Sequence, residues 1–231
     1  MSLTDEPLIH PTQGPRRRLL AASLGGLALA AWPGRSQAGA QVEEPLADKT
    51  RGALSAAIAY AAPPKPVFPD TAQRMRFLRW LTEMSKRLAK RVPDLQSRVE
   101  LLETLWYESK RAGLDVSLVL GLVQVESGFR KYAISTAGAR GLMQVMPFWT
   151  RSIGDGDAGK LFHMQTNLRF GCVILRHYID IEKGDMYLAL GRYNGSRGKP
   201  QYPNAVFACQ RQWQWTDPED LMPPAKPAAS R

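Results

Sequence analysis

The stretch Ser117–Pro147, SLVLGLVQVESGFRKYAISTAGARGLMQVMP, decides how this chain is read. Ser117 to Val125 carries no charge, and the run closes on a single carboxylate, Glu126. Asp115 is placed to cap a helix from Val116 to about Glu126, and Gly121 within it lets a second helix approach closely. Glu126 then falls in the last turn, where free carbonyls present the negative end of the helix dipole. Leu122, Val123 and Val125 are its neighbours in sequence. Both effects disfavour the ionised carboxyl and raise its pKa. An acid that keeps its proton near neutral pH is suited to protonating a leaving oxygen. The competing reading is a glutamate that faces solvent at a helix end, or pairs with Arg130 or Arg140.

Two later segments bear on that choice. STAGARGLMQVMP, Ser135–Pro147, sets small residues before an apolar turn that holds Gln144, and small residues let a backbone approach a ligand or a helix. GRYNGSRG, Gly191–Gly198, places Tyr193 and Asn194 directly before a glycine. Tyr193 has a hydroxyl that can bond a carboxyl group, and the carboxamides of Asn194 and Gln144 can bind amides or sugar hydroxyls. The plainer account is Met143 and Met146 as core, Tyr193 as packing and Asn-Gly as a helix stop.

Outward from this centre the pattern is helical. Asp70 caps a segment in which Met75, Leu78, Leu81, Met84 and Leu88 recur at helical spacing, and its basic face reads as solvated. Pro93 opens another helix that stops at Gly113. GLMQVMPFWTRSI reads as a short helix and MQTNLRFGCVILRHYIDIEKG as a long one. Asp185 caps DMYLALGRYN, and YPNAVFACQRQWQW follows as the last helix. No set of alternating strands is present, so the class is all-α.

The chain has 231 residues, 44% hydrophobic and 23% charged, enough for one sizeable core. A net charge of +10 favours anionic partners without choosing among nucleic acid, lipid and cell-wall polymer. The first forty residues narrow the choice. Arg16, Arg17 and Arg18 precede a soft apolar stretch, and Ala38-Gly39-Ala40 supplies a small-x-small site. That is the order of an export signal, with a twin-arginine flavour, and it argues against cytoplasmic nucleic acid and for the periplasm. The expected organisation is an export signal at 1–40, a Pro/Ala-rich lead-in at 41–70, a helical domain at 71–215 and a tail at 216–231. Helix Gly52–Ala61 is the one element expected in the lead-in. Cys172 and Cys209 are the candidate disulfide pair in an oxidising compartment, with two buried free thiols the equal alternative. The three histidines lie in no metal-binding pattern, so no metal and no cofactor is expected.

With these residues in view, the sequence resembles the soluble lytic transglycosylase (SLT) domain family. QVESGFR (Gln124–Arg130), STAGARGLMQVMP (Ser135–Pro147), NLRFG (Asn167–Gly171) and RYNGS (Arg192–Ser196) look like its four ordered motifs, within a motif core at 114–207. The resemblance implies a goose-type-lysozyme-like helical fold, here preceded by additional helices, and cleavage of bacterial peptidoglycan. It implies Glu126 as catalytic acid and Tyr193 as the tyrosine that places it. It also implies Ser127, Ser135, Met143, Gln144 and Asn194 as substrate-binding residues. Thr136 stands where the family usually has proline, and YNGS replaces the common Tyr-Asn-Ala-Gly, which alters the loop that follows.

Most glycoside hydrolases use two carboxyl groups. The motif region offers one clear candidate, and the resemblance implies a single glutamate serving as acid and then base. The product the resemblance implies is a 1,6-anhydroMurNAc end, formed without water from the MurNAc-β-1,4-GlcNAc bond. Glycan strands of peptidoglycan are the expected partner, with envelope or secretion-machine proteins as further partners that suit the setting. Two alternatives stay open: a lysozyme-type hydrolase with Asp155 or Asp157 as second carboxylate, and a glycan-binding module without chemistry.

Overall fold

Four aspartates set the starts of four helices. The side chains of Asp70, Asp94, Asp115 and Asp185 accept from the backbone N–H groups of Gln73, Ser97, Leu118 and Leu188, at 2.7–2.9 Å. Each satisfies one of the donors that a helix start leaves open. The computed structural model describes residues 41, 43–59 and 66–221. The expected export signal at 1–40 and the end of the tail, 222–231, lie outside the described residues.

In chain order the α-helices are α1 (Asp48–Ala59), α2 (Thr71–Leu88), α3 (Leu95–Arg111), α4 (Val116–Ser127), α5 (Phe148–Ile153), α6 (Met164–Ile181), α7 (Met186–Asn194) and α8 (Gln201–Trp213). Short 3-10 turns lie at Ala158–Phe162 and Pro218–Leu221. Among the described residues there is no sheet, only two isolated bridges. The all-α expectation therefore stands. No described helix is long and apolar enough to cross a membrane.

Helix α4 is the axis of the core. It buries Leu118, Val119, Leu120, Leu122 and Val123 and is apolar on nearly all sides, as a fully enclosed helix must be. Helix α8 lies against it at Gly121, where an added Cβ would meet the backbone nitrogen of Gln210 at 2.7 Å. That approach is closer than any other residue allows. Helix α3 packs on another side of α4 and itself carries α6, and α2 lies on α3 with a stripe of Phe77, Trp80, Leu81, Met84 and Leu88.

Three expectations are corrected. Gly141–Ile153 is not one helix, because only Phe148–Ile153 is helical. Arg140 exchanges backbone bonds with Val145 at 2.9 and 3.0 Å, and Gly141 (φ 77°) and Gln144 (φ 49°) are left-handed, so the backbone turns sharply instead. Cys172 and Cys209 are not bonded to each other. Cys172 faces Ser109 and Glu108 of α3 from within the core, whereas Cys209 is half-buried on α8 near Arg91. Finally, the basic face of α2 is not simply solvated. Arg79 grips Asp217 at 2.8 and 2.9 Å and Glu219 at 2.7 and 2.8 Å. Arg87 donates to the carbonyls of Gln212 and Gln214. Asp217 is buried, so the first residues of the expected tail are strapped to the domain.

The lead-in is also fastened down. Helix α1 lies against α5 and α6. The Trp149 indole donates to Gln41 at 2.8 Å, and Arg192 pairs with Glu44 at 2.9 Å. Arg111 and Arg169 donate to the carbonyls of Ala57 and Ile58 at the end of α1.

Replacing glycine by alanine in an open helix stabilises by about 1 kcal/mol. At position 121 the opposite is expected: Gly121→Ala should cost about 1–3 kcal/mol by forcing α8 away, measured as a lowered midpoint in thermal denaturation.

Candidate active site

The C-terminal turn of α4 carries Glu126 into a buried position, with 7% of its surface exposed. Helix α4 then stops abruptly. Gly128 and Phe129 both take left-handed backbone angles, φ 58° and 68°, which for Phe129 costs roughly 1–2 kcal/mol. Phe129 is held there by packing edge-on against Trp213 of α8, ring centres 5.4 Å apart. Strain of this kind, imposed next to a buried carboxyl, marks a position that the surrounding packing has to enforce.

Glu126 has one partner. The Tyr202 hydroxyl, at the start of α8, donates to Oε1. The other oxygen, Oε2, is buried with no hydrogen-bond partner. Burial pushes the Glu126 pKa up to about 8, against a smaller opposing pull from the Tyr202 hydrogen bond. At neutral pH the carboxyl is therefore mostly protonated. Because Oε1 accepts from Tyr202, the proton belongs on Oε2. Neither Arg130 nor Arg140 pairs with Glu126: Arg140 donates to the Ala158 carbonyl instead. The reading of Glu126 as a surface or ion-paired glutamate is set aside.

Tyr202 did not come out of the motifs; Tyr193 did. Tyr193 is buried, and its hydroxyl donates to the Met143 carbonyl at 2.8 Å. Both phenols have pKa values well above the ordinary range, through burial first and the nearby Glu126 charge second. Tyr193 thus lies within electrostatic reach of the acid while its hydrogen bond holds the neighbouring loop.

That loop, 133–147, is built around one carboxamide. Asn167, in the first turn of α6, accepts from Met143 N–H and donates to the carbonyls of Arg140 and Leu161, all at 2.8 Å. A Cβ on Gly141 would sit 2.3 Å from the Asn167 Nδ2, so glycine is required there on steric grounds as well as by φ.

Of the residues assigned to substrate, the structure directs several inward. Ser127 is buried and its hydroxyl donates back to the Val123 carbonyl at 3.1 Å. The Met143 side chain is fully buried against Gly171. Gln144 is buried and donates to the carbonyls of Ala133 and Gly141, stapling the loop. The Ser135 hydroxyl accepts from Ala139 N–H at 3.0 Å. Asn194 is different. Its Nδ2 donates to Ser196, and its Oδ1 is buried without a partner. Glu126 Oε2 and Asn194 Oδ1 are thus polar atoms that the fold buries and leaves unsatisfied, at a cost of about 1–3 kcal/mol each.

Asp155 and Asp157 have other employment. Asp155 pairs with Lys160 and accepts from Asp157 N–H, and Asp157 accepts from Gly159 N–H at 2.8 Å. The Lys160 hydrogen bond holds the Asp155 pKa below the usual carboxylate value. Both belong to a polar surface turn.

Comparison with known proteins agrees with the motifs. Residues 104–208 match the family model described as Transglycosylase SLT domain. Membrane-bound lytic murein transglycosylase C of Glaesserella parasuis is 44% identical over 107 residues, 44% of this chain and 28% of its own length. A transglycosylase of Enterobacteria phage PRD1 is 35% identical over 100 residues, 43% of this chain and 36% of its own. A solved lytic transglycosylase Slt from Pseudomonas aeruginosa, an inactive mutant, aligns with a TM-score of 0.39 at 24% identity, covering 61% of this chain and 27% of that one. The chain thus spans about a third or less of the length of these curated relatives.

Two outcomes follow from the Glu126 environment. Its folded pKa lies above the unfolded value of 4.5, so its contribution is fully present below pH 4.5 and is lost as pH rises through 8. Relative to Glu126→Gln, the wild type should lose up to ~4 kcal/mol between those limits, read from urea unfolding at both ends. Tyr202→Phe removes the interaction that lowers the Glu126 pKa, so a carbon-13 NMR titration of the carboxyl should move to still higher pH.

Proposed function

We propose, on the premise that residues 104–208 belong to the SLT transglycosylase family, that this protein is a peptidoglycan lytic transglycosylase. One observation carries the reading: a protonated, buried carboxyl whose Oε2 is left without any partner of its own. Glu126 gives that proton to the glycosidic oxygen between N-acetylmuramic acid and N-acetylglucosamine, and the C1–O bond breaks. The substrate's acetamido carbonyl stabilises the positive charge at C1. Glu126, now a carboxylate held by the Tyr202 hydroxyl, takes the proton from the muramoyl C6 hydroxyl as that oxygen attacks C1. A 1,6-anhydro ring results, and water is neither consumed nor released. The nucleophile comes from the substrate itself, so the high effective concentration of an intramolecular reaction replaces a second carboxylate.

Asn194 Oδ1 is an acceptor for an acetamido N–H or a sugar hydroxyl. Tyr193 acts through the Met143 carbonyl as a positioning residue. The hydrolytic alternative needs a second carboxylate at the cleft, and only burial and Tyr202 shift Glu126, with no contribution from Asp155 or Asp157. A module that only binds glycan would have no use for a carboxyl kept protonated to about pH 8. A periplasmic setting suits this substrate class and the export signal expected at 1–40.

The test is mass analysis of the muropeptides released from purified cell wall. Products lighter by one water than their hydrolysed counterparts are expected; reducing ends carrying water would establish a lysozyme instead. Glu126→Gln should fold and still bind glycan while losing turnover by about 10²-fold or more. Substantial cleavage by that variant would refute Glu126 as the acid.

A further inference from the structure

A concavity lies away from Glu126, at the other end of the helices that carry the site. It has a volume of about 800 Å³ and is enclosed by the start of α4, the end of α8, α2 and the end of α3. From Val116 in its wall, α4 runs about 15 Å to Glu126 at 1.5 Å per residue. Much of the lining comes from residues outside the 104–208 family match, so the groove is built where the additional helix α2 meets the domain.

Its surface is aromatic and carries uncommitted polar groups. Trp106 is half-buried and pinned by Phe68 and Phe77, at ring distances of 5.6 and 5.0 Å, so its position is fixed before any ligand arrives. Trp215 is half-buried on the facing segment. The indole N–H groups of both, and the exposed Gln214 carboxamide, have no hydrogen-bond partner among the described residues. Trp213, in the same groove, differs: its N–H is spent on Gln124 at 2.8 Å. Charges of both signs are present and largely engaged. Arg76 pairs with Asp217 and Asp220, Lys110 lies over the Trp106 ring, and Asp115 caps α4. That balance gives no advantage to a polyanion, despite the basic net charge of the chain. Flat aromatic faces beside free N–H and carboxamide groups match a neutral sugar, whose ring has an apolar face and whose hydroxyl and acetamido groups need both donors and acceptors.

We propose that this groove is a second glycan site, holding N-acetylhexosamine units of a strand apart from the bond being cleaved. The choice of ligand rests on the transglycosylase reading above. Its role is retention on the insoluble polymer: the groove grips wall glycan while the cleft works on another stretch or another strand.

The test uses the full chain carrying Glu126→Gln and isothermal titration with the N-acetylglucosamine hexasaccharide. Two sites are expected. Adding Trp215→Ala should remove one or weaken it about tenfold, and Trp215→Phe should keep most of it. Gln214→Ala, a surface change that leaves the aromatic cluster intact, should weaken the same site. In the active protein, Trp215→Ala should slow release from insoluble wall about tenfold while turnover of a short soluble glycan stays within about twofold. A single site in the Glu126→Gln protein that persists when Trp215→Ala is added, or unchanged binding in both Trp215→Ala and Gln214→Ala, would overturn the proposal. The two readings fail separately. A wild type that cleaves nothing refutes the catalytic one, while a hexasaccharide site lost specifically with Trp215 still establishes the groove.

Discussion

The close contact of α4 with α8 at Gly121 is the constraint from which the site follows. It brings two helices together along their length, so that Glu126 near the end of one meets Tyr202 near the start of the other. The carboxyl is thereby removed from water with a single hydroxyl for company. Full ionisation in such surroundings would be costly, and the protein meets that cost by letting the group keep its proton. Reactivity and burial are one property here, because the same desolvation that raises the pKa makes the group an acid at neutral pH.

The facing part of the site is organised differently. The 133–147 loop has almost no regular structure, yet its backbone is satisfied by side chains that reach in from three directions. Asn167 supplies two hydrogen bonds to it and a third to the Leu161 carbonyl, Tyr193 supplies one, and Gln144 two more from within. Residues that look like ligand contacts in the linear sequence thus serve as the frame of the loop. The division is economical: a helix pair fixes the acid, and a set of buried carboxamide and phenol groups fixes the surface opposite.

The sequence was most informative where the physics is local. Helix starts at Asp70, Asp115 and Asp185 were readable because a cap acts within three residues. The apolar run of α4 and the unusual carboxylate at its end were readable for the same reason. The turn at Arg140–Val145 was not, since its apolar residues mimic a helix and the turn is held by bonds between Gln144 and Ala133 and between Asn167 and both Arg140 and Met143, with Ala133 and Asn167 elsewhere in the chain. Tyr202 was missed because its signal is tertiary: an ordinary tyrosine beside a proline, 76 positions from the carboxyl that it bonds. The one available clue was spacing along α8, where Tyr202, Val206 and Trp213 are buried. Ser127 follows Glu126 in sequence but is turned about 100° away from it on the helix, and its hydroxyl bonds the Val123 carbonyl.

The fastening of the lead-in has a consequence for how the molecule assembles. Gln41 meets Trp149 across 108 positions, and Glu44 meets Arg192 across 148. Such closures carry a large entropic cost until the intervening chain is already ordered. The α2–α8 body has its own core and does not wait for the arm, whereas the arm buries no side chain in α1 and gains its hold only from groups that the body presents. Docking of this segment is therefore expected to follow folding of the body. It lies against α5 and α6 and ties to α7 through Glu44 and Arg192, with Leu46, Leu54 and Ile58 half-buried on the core, so the arm is held by surfaces that exist only once the body has folded.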